Sequence, residues 1–201
     1  MLTSIHCALL SECNDARVDM VFVLDASTSV TEDNFELMKD FLKYFLSTAP
    51  IDNGNVRVGV IIYSTADYLQ FHLNAYSNSL ELFDAIDFIP YRYGSTNTAD
   101  ALKTMRTEMF TAANGDRPDI PNVCIVLTDG VSNINARQTI PQAEMARDEG
   151  IHIYVIGIGL TDTTEIDGIA SKPLDQNRFT VDDFSELSDL RNHVFSALCC
   201  K

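Results

Sequence analysis

Basic residues are scarce in this chain of 201 residues: Lys and Arg number 14 against 29 Asp and Glu, a formal net charge of −15. They form no cluster, so the sequence offers no surface for a phosphate backbone or an anionic lipid layer, and nucleic acid is not expected as a partner. Long apolar runs are also missing. The longest clean ones, 20–24 and 123–127, have strand length and fall far short of the roughly 18 to 20 residues that span a bilayer, so no membrane insertion is expected. There is no low-complexity tract and no internal repeat. With 46% hydrophobic residues, enough surface can be buried to offset the entropy of ordering, which excludes a disordered tail and fits one globular domain. No Asn-X-Ser/Thr sequon occurs, and the opening decapeptide lacks the basic and apolar regions expected of a signal peptide.

The cysteines matter more by position than by number. Cys7 and Cys13 precede the first strand-like run, and Cys199 and Cys200 are almost the last residues. A disulfide from Cys13 to Cys199 or Cys200 would join the two ends of a domain whose termini are close in space, and it would imply an oxidising compartment. The alternative is a vicinal Cys199–Cys200 bond, with Cys7 and Cys13 paired to each other or to another chain. Cys124, flanked by Val123 and Ile125, reads as an inert buried thiol.

Short apolar runs alternate with longer amphipathic stretches. Strands are expected at 20–24, 56–63, 68–71, 122–128, 151–158 and 178–181. Helices are expected at 31–47, 79–88, 98–110, 136–148 and 182–198, the first carrying apolar Phe35, Met38, Leu42 and Phe45 at helical spacing. Strands that are apolar on both sides need cover on both faces. The expectation is therefore an α/β fold: a doubly wound, mostly parallel six-stranded sheet in the order 3-2-1-4-5-6, with one antiparallel edge strand and helices on both faces. Ligands of such sheets bind at the carboxyl ends of the strands where the order reverses, here between strands 1 and 4.

That point is rich in oxygen. Strand 1 runs into Asp25-Ala-Ser27-Thr-Ser29 and the fourth main strand into Thr128-Asp129-Gly130, while Gly94-Ser-Thr96-Asn-Thr98 lies just before a helix. Two carboxylates and several hydroxyls, without His or Cys, suit a hard divalent cation rather than zinc. Each segment also has a plain structural reading: Ser29 or Thr31 could cap the first helix, Thr96 or Thr98 the third, and Asp129-Gly130 could be a simple turn. Three segments spread over about a hundred residues and delivered to one place favour the site.

These residues resemble the von Willebrand factor A domain, also called the integrin I domain, over roughly 18–198. Its metal-ion-dependent adhesion site has the pattern Asp-x-Ser-x-Ser, a Thr from a Gly-rich Thr-x-Thr loop, and an Asp in a Thr-Asp-Gly turn. The resemblance implies metal ligands at Asp25, Ser27, Ser29, Thr96 and Asp129, with Thr98 as the alternative to Thr96. It implies a bound divalent cation, Mg²⁺ first and Mn²⁺ or Ca²⁺ next, that accepts a Glu or Asp carboxylate from a protein partner. The flanking cysteines and the ending Phe195-Ser-Ala-Leu-Cys199 look like the matrilin and collagen VI-type branch. That implies a secreted, extracellular-matrix module whose partner is collagen or another matrix component. The stretch from Asp129 to the strand at 151–158 lacks the extra helix of collagen-binding integrin I domains, and Ser95 stands where many relatives have a second Gly. Relatives with switchable affinity move the last helix along its axis; a bond from Cys13 to Cys199 or Cys200 would hold the domain near one state. The expected division is an N-terminal extension at 1–17 with Cys7 and Cys13, the domain at 18–198 and a Cys-Cys tail at 199–201.

An enzyme is not expected. A phosphatase of the haloacid-dehalogenase kind resembles Asp-x-Asp after strand 1, with the second Asp as general acid, and here that position is Ser27. Gly157-Ile-Gly159 lacks the third glycine of a dinucleotide loop, and neither a nucleophile elbow nor a P-loop is present. His6, His72, His152 and His193 are scattered. The remaining reading is a structural matrix module with metal-independent interactions.

Overall fold

The computed structural model describes residues 17–190 and Val194. Cys7, Cys13, Cys199 and Cys200, with every pairing expected of them, lie outside the described residues, as do residues 1–16, most of the second half of the last expected helix and the C-terminal tail.

Six strands form one sheet: β1 (Val18–Asp25), β2 (Val56–Tyr63), β3 (Asp67–Phe71), β4 (Asn122–Thr128), β5 (His152–Ile158) and β6 (Arg178–Val181). Their order is β3-β2-β1-β4-β5-β6. Only the hairpin of β2 and β3 is antiparallel, with a register shift between Val60 and Ile61; the other pairings are parallel. Fold class, strand order and the antiparallel edge all agree with the sequence reading.

The strand sequences explain the two-sided cover. Along β1 successive side chains alternate faces, and both sets are apolar and fully buried: Phe22 and Leu24 on one side, Val21 and Val23 on the other. The first side packs against α1 (Glu32–Leu46), α2 (Ser79–Asp87) and the last helical segment through Leu187, Leu190 and Val194. The second packs against α3 (Thr98–Thr104), α4 (Ala136–Asp148) and α5 (Thr164–Ile169). Burying one such Val, Leu or Phe side chain contributes about 1.5–3 kcal/mol, so strand–helix packing dominates the stability. Cys124 is buried and free in the second cluster, and burial pushes its thiol up out of the reactive range.

Four elements differ from expectation. The third helix was expected to run to 110, but α-helical geometry stops at Thr104 and a π-helical turn, Met105–Met109, follows. The wider turn sets both Met105 and Met109 in the core; Gly59 makes room, since a Cβ there would collide with Met109 Cε. The last helical segment opens with a 3₁₀ turn, Phe184–Glu186, because Asp183 caps it by accepting from Ser185 N at 2.7 Å. Two short helices, α5 and α6 (Leu174–Asn177), stand between β5 and β6 where no element was expected; at 6 and 4 residues they are too brief to show periodicity. Gly157, part of the incomplete dinucleotide-like motif, has a packing role, since a Cβ there would lie 2.7 Å from Leu160 and 2.8 Å from Ile166.

Among the described residues no helix is long and apolar enough to cross a membrane.

Candidate metal centre

The carboxyl ends of β1 and β4 lie side by side, Leu24 opposite Leu127. The chain leaves β1 through Ala26, whose N–H donates to Tyr63 O at 2.7 Å, and turns back on itself. Asp25 is fully buried there. Its Oδ1 accepts from Ser27 N at 2.9 Å and its Oδ2 from Thr128 Oγ1 at 2.8 Å. Ser29 Oγ donates to Asp129 Oδ1 at 2.9 Å, and Ser27 Oγ stands 3.2 Å from Ser29 Oγ. Asp25, Ser27, Ser29 and Asp129 thus form one connected set.

Thr96 arrives from the third segment. Its N–H donates to Asn133 Oδ1 at 3.0 Å, and its carbonyl accepts from Asn133 N at 2.9 Å, Ile134 N at 3.1 Å and Ser132 Oγ at 3.3 Å. The loop after Asp129 therefore grips the Thr96 backbone. On the other side Thr28 N donates to Gly94 O at 3.0 Å and Gly94 N to Thr28 Oγ1 at 2.9 Å. All three loops interlock.

Of the expected helix caps, the first falls to Thr31, one of its two candidates, and the third to a residue outside its candidates. Thr31, not Ser29, caps α1 by accepting from Asn34 N at 3.5 Å. Asn97, rather than Thr96 or Thr98, caps α3 by accepting from Asp100 N at 3.3 Å. Ser29 and Thr96 are thereby left without a capping duty. His152 pairs with Asn177 at 2.7 Å, and His72 lies past the end of β3; His6 and His193 lie outside the described residues.

Burial holds the Asp25 carboxyl up at about 6, with the neighbouring Asp129 charge adding to the effect against the hydrogen bonds that lower it. Asp129 is also raised, by burial first. Among the described residues neither carboxylate joins an ion pair. Two adjacent acids withdrawn from water with no cationic side chain are costly unless an ion compensates them. The donor set is all oxygen, and among the described residues no three His, Cys, Asp or Glu side chains gather. The residues present thus fit a hard divalent cation.

Several supporting residues carry no signal in the sequence. Asn133 has no periodicity or motif around it, and Thr28 occupies an unspecified place in Asp-x-Ser-x-Ser. Thr128 is visible only as the neighbour of Asp129.

Comparison with known proteins shows the family. The von Willebrand factor type A domain family matches residues 19–193. Matrilin-2 of Mus musculus is 32% identical over 190 residues, covering 93% of this chain and 20% of matrilin-2. The collagen alpha-4(VI) chain of Mus musculus is also 32% identical, over 93% of this chain and 8% of that protein. Among solved structures, proximal thread matrix protein 1 from the mussel byssus superposes with a TM-score of 0.86 at 29% identity, over 92% of this chain and 49% of that one. The same mussel protein, solved with a zinc-occupied MIDAS motif, gives a TM-score of 0.85 at 29% identity, over 92% of this chain and 48% of that one. The chain therefore spans half or less of the length of these relatives, and it belongs to the von Willebrand factor type A domain family.

Proposed function

We propose that this chain is a non-enzymatic, extracellular matrix-binding module that recognises an acidic side chain of a matrix protein through a divalent cation held by Asp25, Ser27, Ser29, Thr96 and Asp129. The observation that carries the reading is the pair Asp25 and Asp129, both raised by burial and, among the described residues, free of any ion pair, beside a relay of serine hydroxyls. When bound, the cation supplies a Lewis-acidic position able to take a carboxylate oxygen. The chain's own residues do the rest. Thr128 and Ser27 N–H orient the Asp25 carboxylate, and Ser29 orients Asp129. Hydroxyl donors leave the ion more positive than additional carboxylates would, which favours an acidic partner despite the overall charge of −15.

Mg²⁺ is our choice of ion because the donor set is all oxygen, with Mn²⁺ or Ca²⁺ next; the zinc-occupied motif of the mussel protein supports a divalent site of this type. The likeness to matrilin-2 and a collagen VI chain supports secretion and a matrix partner, collagen or another component. A phosphatase-like hydrolase lacks its general acid, since Ser27 stands in that place.

The test is capture from native extracellular matrix with and without EDTA, using Asp25→Ala as control. Capture that EDTA and the substitution both abolish supports the reading. Capture indifferent to both would leave a metal-independent structural module.

A further inference from the structure

Tyr91 is not among the proposed ligands, yet it reaches into the loop that carries three of them. Its hydroxyl donates to Ser27 O at 3.0 Å. The Ser27 carbonyl also closes the turn by accepting from Val30 N at 3.2 Å. One phenol thus anchors the carbonyl that closes the turn carrying Ser29.

Thr31 has φ 70 and ψ 158, a backbone region essentially reserved for glycine and especially unfavourable for a β-branched residue. Such a conformation persists only where its surroundings enforce it. The α1 cap on Thr31 Oγ1 is long, at 3.5 Å, whereas Tyr91 is firmly seated. Its ring packs against Phe35 of α1 at 5.7 Å and against Tyr93 at 6.4 Å. Lys39 Nζ donates to the carbonyls of Asp87 at 3.0 Å and Ile89 at 3.4 Å, which fixes the segment leading to Tyr91. A phenylalanine could keep the ring contacts, so they do not explain the hydroxyl.

We propose that Tyr91 is a positioning residue of the candidate metal site: its hydroxyl anchors the Ser27 carbonyl, and with it the turn that runs into the strained Thr31, and so fixes the direction in which Ser27 and Ser29 present their oxygens. This rests on the metal-site reading above. Without the hydroxyl, Thr31 relaxes towards negative φ, Ser29 turns away from Asp129, and the donors lose their alignment while the core stays intact.

The experiment is a Mn²⁺ titration of the wild type, Tyr91→Phe, Thr31→Gly and the double variant, together with amide hydrogen exchange of Val30, whose N–H donates to the same Ser27 carbonyl, in the metal-free proteins. Tyr91→Phe is expected to weaken Mn²⁺ binding about tenfold, the scale of lost support behind a metal ligand, and to speed Val30 exchange with little change in the metal-free melting temperature. Glycine adopts positive φ without strain, so the loss from Tyr91→Phe should shrink in the Thr31→Gly background. Equal losses in both backgrounds, or unchanged Mn²⁺ affinity and Val30 exchange in Tyr91→Phe, would overturn the proposal. If the wild type takes up no Mn²⁺, the metal reading fails; Val30 exchange then decides the Tyr91 anchor by itself, acceleration upholding it and no change overturning it.

Discussion

Ser29 and Asp129 lie 100 residues apart in the chain, and a single 2.9 Å hydrogen bond from the serine hydroxyl to the carboxylate joins them. It ties the loop after β1 to the loop after β4 at the point where the strand order reverses. Because Ser29 is exposed, the bond adds little to the stability of the fold. Its value lies in alignment. Ser29→Ala should leave the metal-free melting temperature within about 2 °C, consistent with a surface substitution worth less than about 0.5 kcal/mol, while weakening Mn²⁺ binding measured by calorimetry. A Mn²⁺ affinity equal to that of the wild type would remove Ser29 from the ligand set.

Metal binding should stabilise the folded state by mass action. At a free ion concentration about 100 times the dissociation constant the gain is about 2.7 kcal/mol, which for a chain of this size is roughly 5–10 °C in melting temperature. Differential scanning calorimetry with Mg²⁺ or Mn²⁺ against EDTA measures it. Asp25→Ala should show no such rise, and a wild type equally unmoved by every divalent ion would count against a working site.

The Asp25 carboxyl sets a pH dependence whose sign runs against ordinary acid denaturation. Burial raises it to about 6, above the unfolded value near 3.9. Between those values the folded state binds more protons, so its contribution is fully present below about pH 4 and is lost as pH rises through 6. The loss amounts to about 3 kcal/mol. Metal-free Asp25→Asn should therefore be more stable than the metal-free wild type at pH 7, with the difference shrinking towards pH 4. Paired urea melts at the two pH values test this. Metal affinity should move the other way, falling as pH drops below 6 because the ion needs the carboxylate. If Asp25→Asn is less stable at pH 7, burial of the charge is not the governing effect.

The fold was largely legible because its signals are collective. Continuous apolar runs such as Val56–Tyr63 and the 3-4-3 spacing of Phe35, Met38, Leu42 and Phe45 all require the same two-sided burial, and one misread residue does not change it. The loops carrying Asp25 and Asp129 were also legible, since topology alone directs the ends of β1 and β4 to one place. What was hidden depends on single contacts. Asn97, rather than Thr96 or Thr98, caps α3 through a single bond from Asp100 N, and the grip of Asn133 on Thr96 joins residues 37 apart with no pattern between them. The widening of α3 at Met105 answers to the space above Gly59, which no local window contains.

Two glycines near the site should respond oppositely to substitution. Gly94 has φ +142, and a Cβ there would lie 2.5 Å from Thr65 Oγ1, the atom that accepts from Ser95 N at 3.1 Å. Gly94→Ala should cost about 1–3 kcal/mol and disturb the backbone that leads to Thr96. Gly130, in the Thr-Asp-Gly turn, has open space where a Cβ would stand, with nothing within 4 Å, so Gly130→Ala should be nearly neutral. Thermal melts and Mn²⁺ titrations of the two variants make the comparison; equal effects would mean that the loop backbone at Gly94 yields freely.

Stability and binding should prove separable at the opposite end of the sheet. Asp19 is fully buried and paired with Arg117, whose Nε donates to Asp19 Oδ1 at 2.9 Å and whose backbone N–H donates to Oδ2 at 2.8 Å. The same guanidinium donates to the carbonyls of Gly54 at 2.7 Å, Val18 at 3.1 Å and Asn55 at 2.9 Å. It therefore closes the amino ends of β1 and β2. The site lies at the carboxyl ends: Asp25 closes the strand that Asp19 all but opens, roughly 20 Å away at the rise of an extended strand. Removing one partner leaves the other buried without compensation, so Arg117→Met should destabilise by about 3–5 kcal/mol. A lysine in its place lacks the planar fork and cannot reach the same carbonyls together, so Arg117→Lys should recover only part of that loss. Effects at distances well beyond about 10 Å with no shared partners are additive. Mn²⁺ affinity at a temperature where both variants remain folded should therefore match the wild type, and a tenfold change there would show that the strands transmit strain from one end of the sheet to the other.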